Sequence, residues 1–167
     1  MRLRTMLAAV VVAVCAVATG STASASPASA LASYQFYVIN GLVMDASNHG
    51  GHGTPVILWT NNNGSNQIWN TEAASEGGTY LHPAYNWGLC LDFDGASPGN
   101  SIPVKVNNCD GSASQRWFFG NHPSGGYRIA THSDFRYCVD VPNYNFAQGQ
   151  QIALWDCNDT TAQLWLT

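Results

Sequence analysis

Gln67-Ile68-Trp69, Gln115-Arg116-Trp117 and Gln163-Leu164-Trp165 are one motif, Gln-x-Trp, met three times at an unvarying interval of 48 residues. A single copy carries no information. Three copies in step describe a structural unit built three times, and that constraint precedes every other reading of the chain.

The surroundings of the motif keep the same phase. Six residues before each Gln stand Asn61, Cys109 and Cys157. Cys90-Leu91-Asp92 and Cys138-Val139-Asp140 place an Asp 23 residues before the second and third Gln, and Val43-Met44-Asp45 places one 22 residues before the first. Between them, Val56 and Leu58, Val104 and Val106, and Ile152 and Leu154 alternate as half-buried strands do. Tyr34-Gln35-Phe36, Tyr80-Leu81-His82 and Tyr127-Arg128-Ile129 open the copies, which run over 34–71, 72–119 and 120–167. Each copy thus offers four short strands separated by Gly, Asn, Ser and Pro, residues that supply turn geometry. No window sustains a helical period. Twelve short strands in three equal groups predict an all-β closed architecture with pseudo-threefold symmetry. Trp69, Trp117 and Trp165, alternating with exposed positions, are expected in its core.

Residues 1–25 have the pattern of a secretory signal peptide: Arg2 and Arg4, an apolar run from Met6 to Val17, and the small-residue site Ala23-Ser24-Ala25. Cleavage up to residue 32 is equally compatible with the Ser/Ala/Pro-rich stretch that follows, and 26–33 is expected to be a disordered start. The apolar run is too short for a membrane anchor, since a bilayer core is about 30 Å thick. The remaining chain, 34–167, is one domain, expected to be monomeric and extracellular. It keeps four basic residues, Lys105, Arg116, Arg128 and Arg136, against ten acidic ones. No basic patch can be assembled from so few, which argues against nucleic acid as a partner.

Four of the five cysteines lie downstream of the leader, an even number in an exported chain, which argues for disulfides. Cys90 and Cys109 occupy in copy two the positions of Cys138 and Cys157 in copy three, so pairing within each copy is the economical reading. Each bridge would close a loop of about 20 residues and stabilise by about 3 kcal/mol. Copy one has Val43 and Asn61 there. Zinc is not indicated, because the chain has no Cys-x-x-Cys pair.

Catalytic patterns are weak. Asp92 and Asp94 share a strand face, but glycoside hydrolysis needs two carboxyls flanking a cleft with opposite roles. His49 and His52 sit in a Gly-rich stretch, a poor scaffold for metal ligands, and are better read as the rim of a copy-one pocket. No Ser/His/Asp arrangement stands out. The chain is not expected to be an enzyme, nor to need a metal or cofactor.

Gln-x-Trp three times, Cys-x-Asp, and an aromatic two residues before the second cysteine position resemble the ricin-type β-trefoil lectins and the family 13 carbohydrate-binding modules. The resemblance covers about Tyr34 to Thr167 and implies a β-trefoil with one shallow pocket per repeat. The Asp would accept hydrogen bonds from sugar hydroxyls and the aromatic would stack on the sugar's apolar face. The Gln, with an Asn before it, would complete or support the polar contacts. That division of labour suits a pyranose, which presents C–H groups on its face and hydroxyls at its edge.

Carried over by position, the copies are unequal. Copy one has the full set, Asp45, Trp59, Asn66 and Gln67. Copy three has Asp140, Trp155 and Gln163, with Ala162 in place of the Asn. Copy two has Asp92 and Gln115, but Asn107 replaces the aromatic and Ser114 the Asn, so it is expected to be silent. The implied ligand is a glycan, with galactosides and xylan both left open. A protein-binding role of the hydrolase-inhibitor kind is the alternative, using the loop from Pro142 to Gln148 with Tyr144 and Phe146 exposed. A turn-forming role for each Asp or Gln competes with sugar contact at every copy.

Overall fold

The computed structural model describes residues 32–131 and 135–167. The signal peptide expected over 1–25 therefore lies outside the described residues, as does the start expected over 26–33 apart from its last two positions. Copy one contributes β1 (Ser33–Tyr34), β2 (Leu42–Ala46), β3 (Thr54–Thr60) and β4 (Trp69–Ala73). Copy two contributes β5 (Thr79–Pro83), β6 (Leu89–Phe93), β7 (Val104–Asn108) and β8 (Phe118–Asn121). Copy three contributes β9 (Tyr127–Ala130), β10 (Tyr137–Asp140) and β11 (Ala153–Asp156). The twelfth segment is reduced to two bridges, Trp165 with Tyr127 and Leu166 with Tyr37. Among the described residues, helix is confined to four three-residue 3-10 turns.

Pairing follows the repeat. Within each copy an antiparallel hairpin joins the second and third strands, β2–β3, β6–β7 and β10–β11. Between copies the last strand pairs with the first strand of the next, β4–β5 and β8–β9, and Leu166 against Tyr37 closes the circle. The third strands also meet around the axis, through Thr54 and Val106, Pro103 and Ala153, and Ile57 and Gln151. Three such units closed on one core make a β-trefoil, in which no long strand edge is left unpaired.

The core is filled in threes. Val56 and Leu58, Val104 and Val106, and Ile152 and Leu154 are all buried, as their alternation predicts. Trp69, Trp117 and Trp165 are fully buried, and each indole Nε1 donates to a carbonyl of its own copy: Met44 at 3.2 Å, Leu91 at 2.9 Å and Val139 at 3.1 Å. An indole N–H without a partner would be costly there, so the motif tryptophan both fills volume and pins the second strand. The disulfides are Cys90–Cys109 and Cys138–Cys157, the pairing expected within each copy. Copy one replaces the bridge with hydrogen bonds: Asn61 donates to the Tyr37 hydroxyl at 3.0 Å and accepts from Gln35 at 3.3 Å.

Three details depart from the sequence reading. The copy boundaries at 71/72 and 119/120 cut β4 and β8; the chain instead turns at Gly77-Gly78 and Gly125-Gly126, all four with positive φ. Paired glycines take that left-handed conformation without steric cost, so the hairpins fall there. Ser33, placed in the irregular start, already pairs with Asn70 in β1. The motif glutamines precede their strands: Gln115 and Gln163 close 3-10 turns.

Candidate functional site

Two concave sites recur in phase. The first, about 190 Å³, is lined by Asp45, Asn48, His49, Trp59, Asn62 and Asn66, with Ser47 and Ile57 at its margin. The second, about 280 Å³, is lined by Asp140, Asn143, Tyr144, Trp155, Asn158 and Ala162 among others. In each, a carboxylate at the end of the second strand faces a tryptophan from the third. Trp59 and Trp155 are 37% and 40% exposed, an unusual state for so large an apolar ring and one that leaves a face available.

The carboxylates are held from behind. Gln67 donates through Nε2 to Asp45 Oδ2 at 2.7 Å and to the Thr60 carbonyl at 2.9 Å, while its Oε1 accepts from the Asn62 N–H at 2.9 Å. Gln115 makes the same three bonds to Asp92, Asn108 and Asp110, and Gln163 to Asp140, Asp156 and Asn158. All three glutamines have no exposed surface. Direct contact of Gln67, Gln115 and Gln163 with a ligand is therefore corrected: each staples the loop that follows the third strand and aims the carboxylate. Asn66 acts similarly. It donates to Asp45 Oδ1 at 2.8 Å and to the Ala46 carbonyl at 3.2 Å, and is itself buried.

Electrostatics follow from that burial. Desolvation pushes the Asp45 carboxyl above the usual carboxylate range, opposed by the bonds from Gln67 and Asn66 and by the field of His49. Asp140 is pushed up for the same reason, opposed by Gln163. Tyr85 reaches over from copy two, and its hydroxyl, bonded to the Gly50 carbonyl at 2.6 Å, is raised by burial and by the Asp45 charge.

Copy two is built differently. Asn107, at the position of Trp59 and Trp155, donates to Asp92 Oδ2 at 3.1 Å and accepts from the Gly53 N–H at 3.0 Å. A loop of copy one thus lies where a ring would stand. Its neighbour His52 accepts from the Asn108 N–H at 3.2 Å, so His52 belongs to copy two and not to the copy-one rim. His49 does line that rim, with Nε2 3.2 Å from Ser65 Oγ and its ring edge-on to Tyr85. Asp94 is engaged by Lys105 Nζ at 2.6 Å. His82 lies 3.7 and 3.5 Å from the sulfurs of Cys90 and Cys109, which are joined to each other and so offer no thiolate.

Tyr144, which sequence reading placed only in the Pro142–Gln148 loop, lines the copy-three cavity. It belongs to a 3-10 turn, Pro142–Tyr144, that repeats the turn Ser47–His49 of copy one. Asn48 and His49 have φ of 54° and 55°, and Asn143 and Tyr144 both 55°. Tyr144 and His49 therefore stand at one structural position, each at a pocket rim. Phe146, expected to be exposed, packs partly buried against the core, and its carbonyl accepts from Asn40 at 2.9 Å. Tyr144 is exposed as expected, so within this loop only Phe146 departs from the sequence reading.

An exposed indole and a partly desolvated carboxylate thus line a concave site in each of copies one and three of one closed trefoil. The profile of the ricin-type beta-trefoil lectin domain matches residues 32–165, and the chain belongs to that family. No curated protein matches the chain. Among solved structures it is similar to ThreeFoil, a designed threefold-symmetric protein, at 23% identity and a TM-score of 0.72, covering 80% of this chain and 95% of that one. It is similar to the Macrolepiota procera ricin B-like lectin, solved with lactose, at 20% identity and a TM-score of 0.68, covering 80% and 92%. The C-half of an earthworm R-type lectin, solved with GalNAc, aligns at 18% identity and a TM-score of 0.61, covering 80% and 95%. At these identities the likeness is one of fold.

Proposed function

We propose that the protein is a secreted glycan-binding module that engages sugars in copies one and three and does not turn them over. One observation carries this reading: Trp59 with Asp45, and Trp155 with Asp140, repeat the same plate-and-carboxylate geometry in phase. A pyranose laid on the indole would bury its C–H face and present vicinal hydroxyls to the Asp, which accepts with charge-assisted bonds. Open pockets of this size bind weakly one at a time, and two on one rigid body raise avidity against a repeating glycan. Solved members of the fold with lactose and with GalNAc support a sugar as the ligand class. Binding without turnover is supported by Asp94, whose carboxylate is tied to Lys105 and so is not paired with Asp92 across a cleft.

The test is a glycan array with the domain, followed by titration of the strongest ligand against Trp59→Ala, Trp155→Ala and the double variant. Each single change should weaken binding by about 1–3 kcal/mol at its own site. The double variant should be silent, with the fold intact. Undiminished binding by the double variant would refute the assignment.

A further inference from the structure

Ser101 is strained where its counterparts are not. Gly53, Ser101 and Gly149 lie 48 residues apart and share one geometry, with φ of 84°, 66° and 86°. Each backbone N–H donates to the third strand of a neighbouring copy, Gly53 to the Val106 carbonyl at 2.9 Å, Ser101 to Leu154 at 2.8 Å and Gly149 to Leu58 at 2.7 Å. Two copies meet the left-handed requirement with glycine. The third keeps a side chain there against the steric preference of an L-residue.

The side chain that is kept points to a use. Ser101 comes from copy two but lines the copy-three pocket together with Trp155 and Asp140. A Cβ at Gly149, its copy-three equivalent, would stand 3.9 Å from the Trp59 ring, so this position borders the aromatic plate. The Ser101 hydroxyl has no hydrogen-bond partner among the described residues. The copy-three pocket also lacks one amide that copy one has, because Ala162 stands where copy one has Asn66. Asp140 consequently receives a protein donor only on Oδ2, from Gln163, whereas Asp45 receives one on each oxygen.

From these observations we infer that Ser101 is a ligand-contacting and specificity-determining residue of the copy-three pocket, supplied across the copy boundary, whose hydroxyl meets a sugar hydroxyl at the edge of Trp155. The inference rests on the glycan reading above. Backbone strain at a binding site is retained when the side chain is used there. A hydroxyl that both donates and accepts beside the plate, with a free carboxylate oxygen opposite, selects a ligand with a hydroxyl at that edge over its deoxy analogue.

The experiment uses the Trp59→Ala protein, in which copy one is disabled, with lactose and N-acetylgalactosamine as probes in titration calorimetry and with thermal melts alongside. Ser101→Ala keeps the strain and removes the hydroxyl; affinity should fall about tenfold, the size of one hydrogen bond, with the melting temperature unchanged. Ser101→Gly should lose the same affinity while its melting temperature rises. Parent-like affinity in Ser101→Ala overturns the inference, as does affinity lost only in proportion to stability in both variants. A Trp59→Ala protein that binds neither probe while the unmutated domain does also overturns it. An unmutated domain that binds neither would sink the glycan reading itself and this inference with it.

Discussion

Asn107 Nδ2 donates to Asp92 Oδ2 at 3.1 Å, so the residue that stands in place of a stacking ring in copy two is bound to the carboxylate the ring would have accompanied. The same amide accepts from Gly53, which fastens a copy-one loop over the position. In copy two this position forms a seam between copies. Asn107→Ala should therefore cost stability, about 1 kcal/mol for the two hydrogen bonds lost, since Asp92 keeps Gln115 and Gly53 keeps the Val106 carbonyl, and leave glycan affinity unchanged. Urea unfolding and a binding titration on the same sample would decide it. A loss of affinity at constant stability would contradict the assignment.

The motif glutamine should be worth more to the fold than to any ligand contact. Gln67→Ala strands the Asn62 N–H, the Thr60 carbonyl and Asp45 Oδ2 together. The expected destabilisation is on the order of 3 kcal/mol, and comparable for Gln115→Ala in copy two, which has no stacking ring. Chemical denaturation of the two variants provides the comparison. A variant at Gln67 with native stability and no binding would restore a direct ligand role.

Binding and stability should respond to acid with opposite sign. Burial holds the Asp45 and Asp140 carboxyls above the ordinary carboxylate range. As pH falls through those raised values the acceptors are protonated and affinity drops. A carboxyl whose folded value is raised contributes stability that is full below its unfolded value and is lost as pH rises through the folded one. Between about pH 7 and about pH 4, wild type should thus gain stability relative to Asp140→Asn on acidification while losing affinity. Paired melts and titrations over that range check both slopes.

Reduction should loosen the copies unequally. Each bridge closes a loop of 19 residues in sequence separation and contributes about 3 kcal/mol. Copy one relies on Gln35, Tyr37 and Asn61 instead, which a thiol reagent does not touch. Hydrogen exchange with and without reductant should show β6–β7 and β10–β11 losing protection before β2–β3. Uniform loss would contradict this.

What the sequence disclosed was whatever repeats in phase. The interval of Gln-x-Trp announced three units, the matched cysteines announced their own pairing, and the alternation of Val56 with Leu58 named a buried strand face. Side-chain direction was not legible in the same way: nothing in the motif tells whether Gln67 reaches outward to a ligand or inward to Asp45, and only the turn ahead of the strand decides it. Tyr144 was hidden because its partner in copy one is a histidine, so position was conserved in space while residue type was not. Ser101 was hidden because loops crossing between copies carry no motif, and their contacts are set by closure of the ring. The twelfth strand shrank to two bridges because Leu166 pairs with Tyr37 of copy one rather than extending a hairpin.

The bond from the Gly149 N–H to the Leu58 carbonyl, one residue from Trp59, sets an order of events. Copy one leaves the ribosome first, yet its plate is backed by residues made almost a hundred positions later, through Gly149 and its bond to the Leu58 carbonyl. A nascent chain with only its first two copies emerged has the sequence of a binding site and not its geometry. Pocket one should therefore become competent only once copy three has emerged, in the same step that seals the trefoil, so that a ligand column retains chains with all three copies and passes those cut before the third.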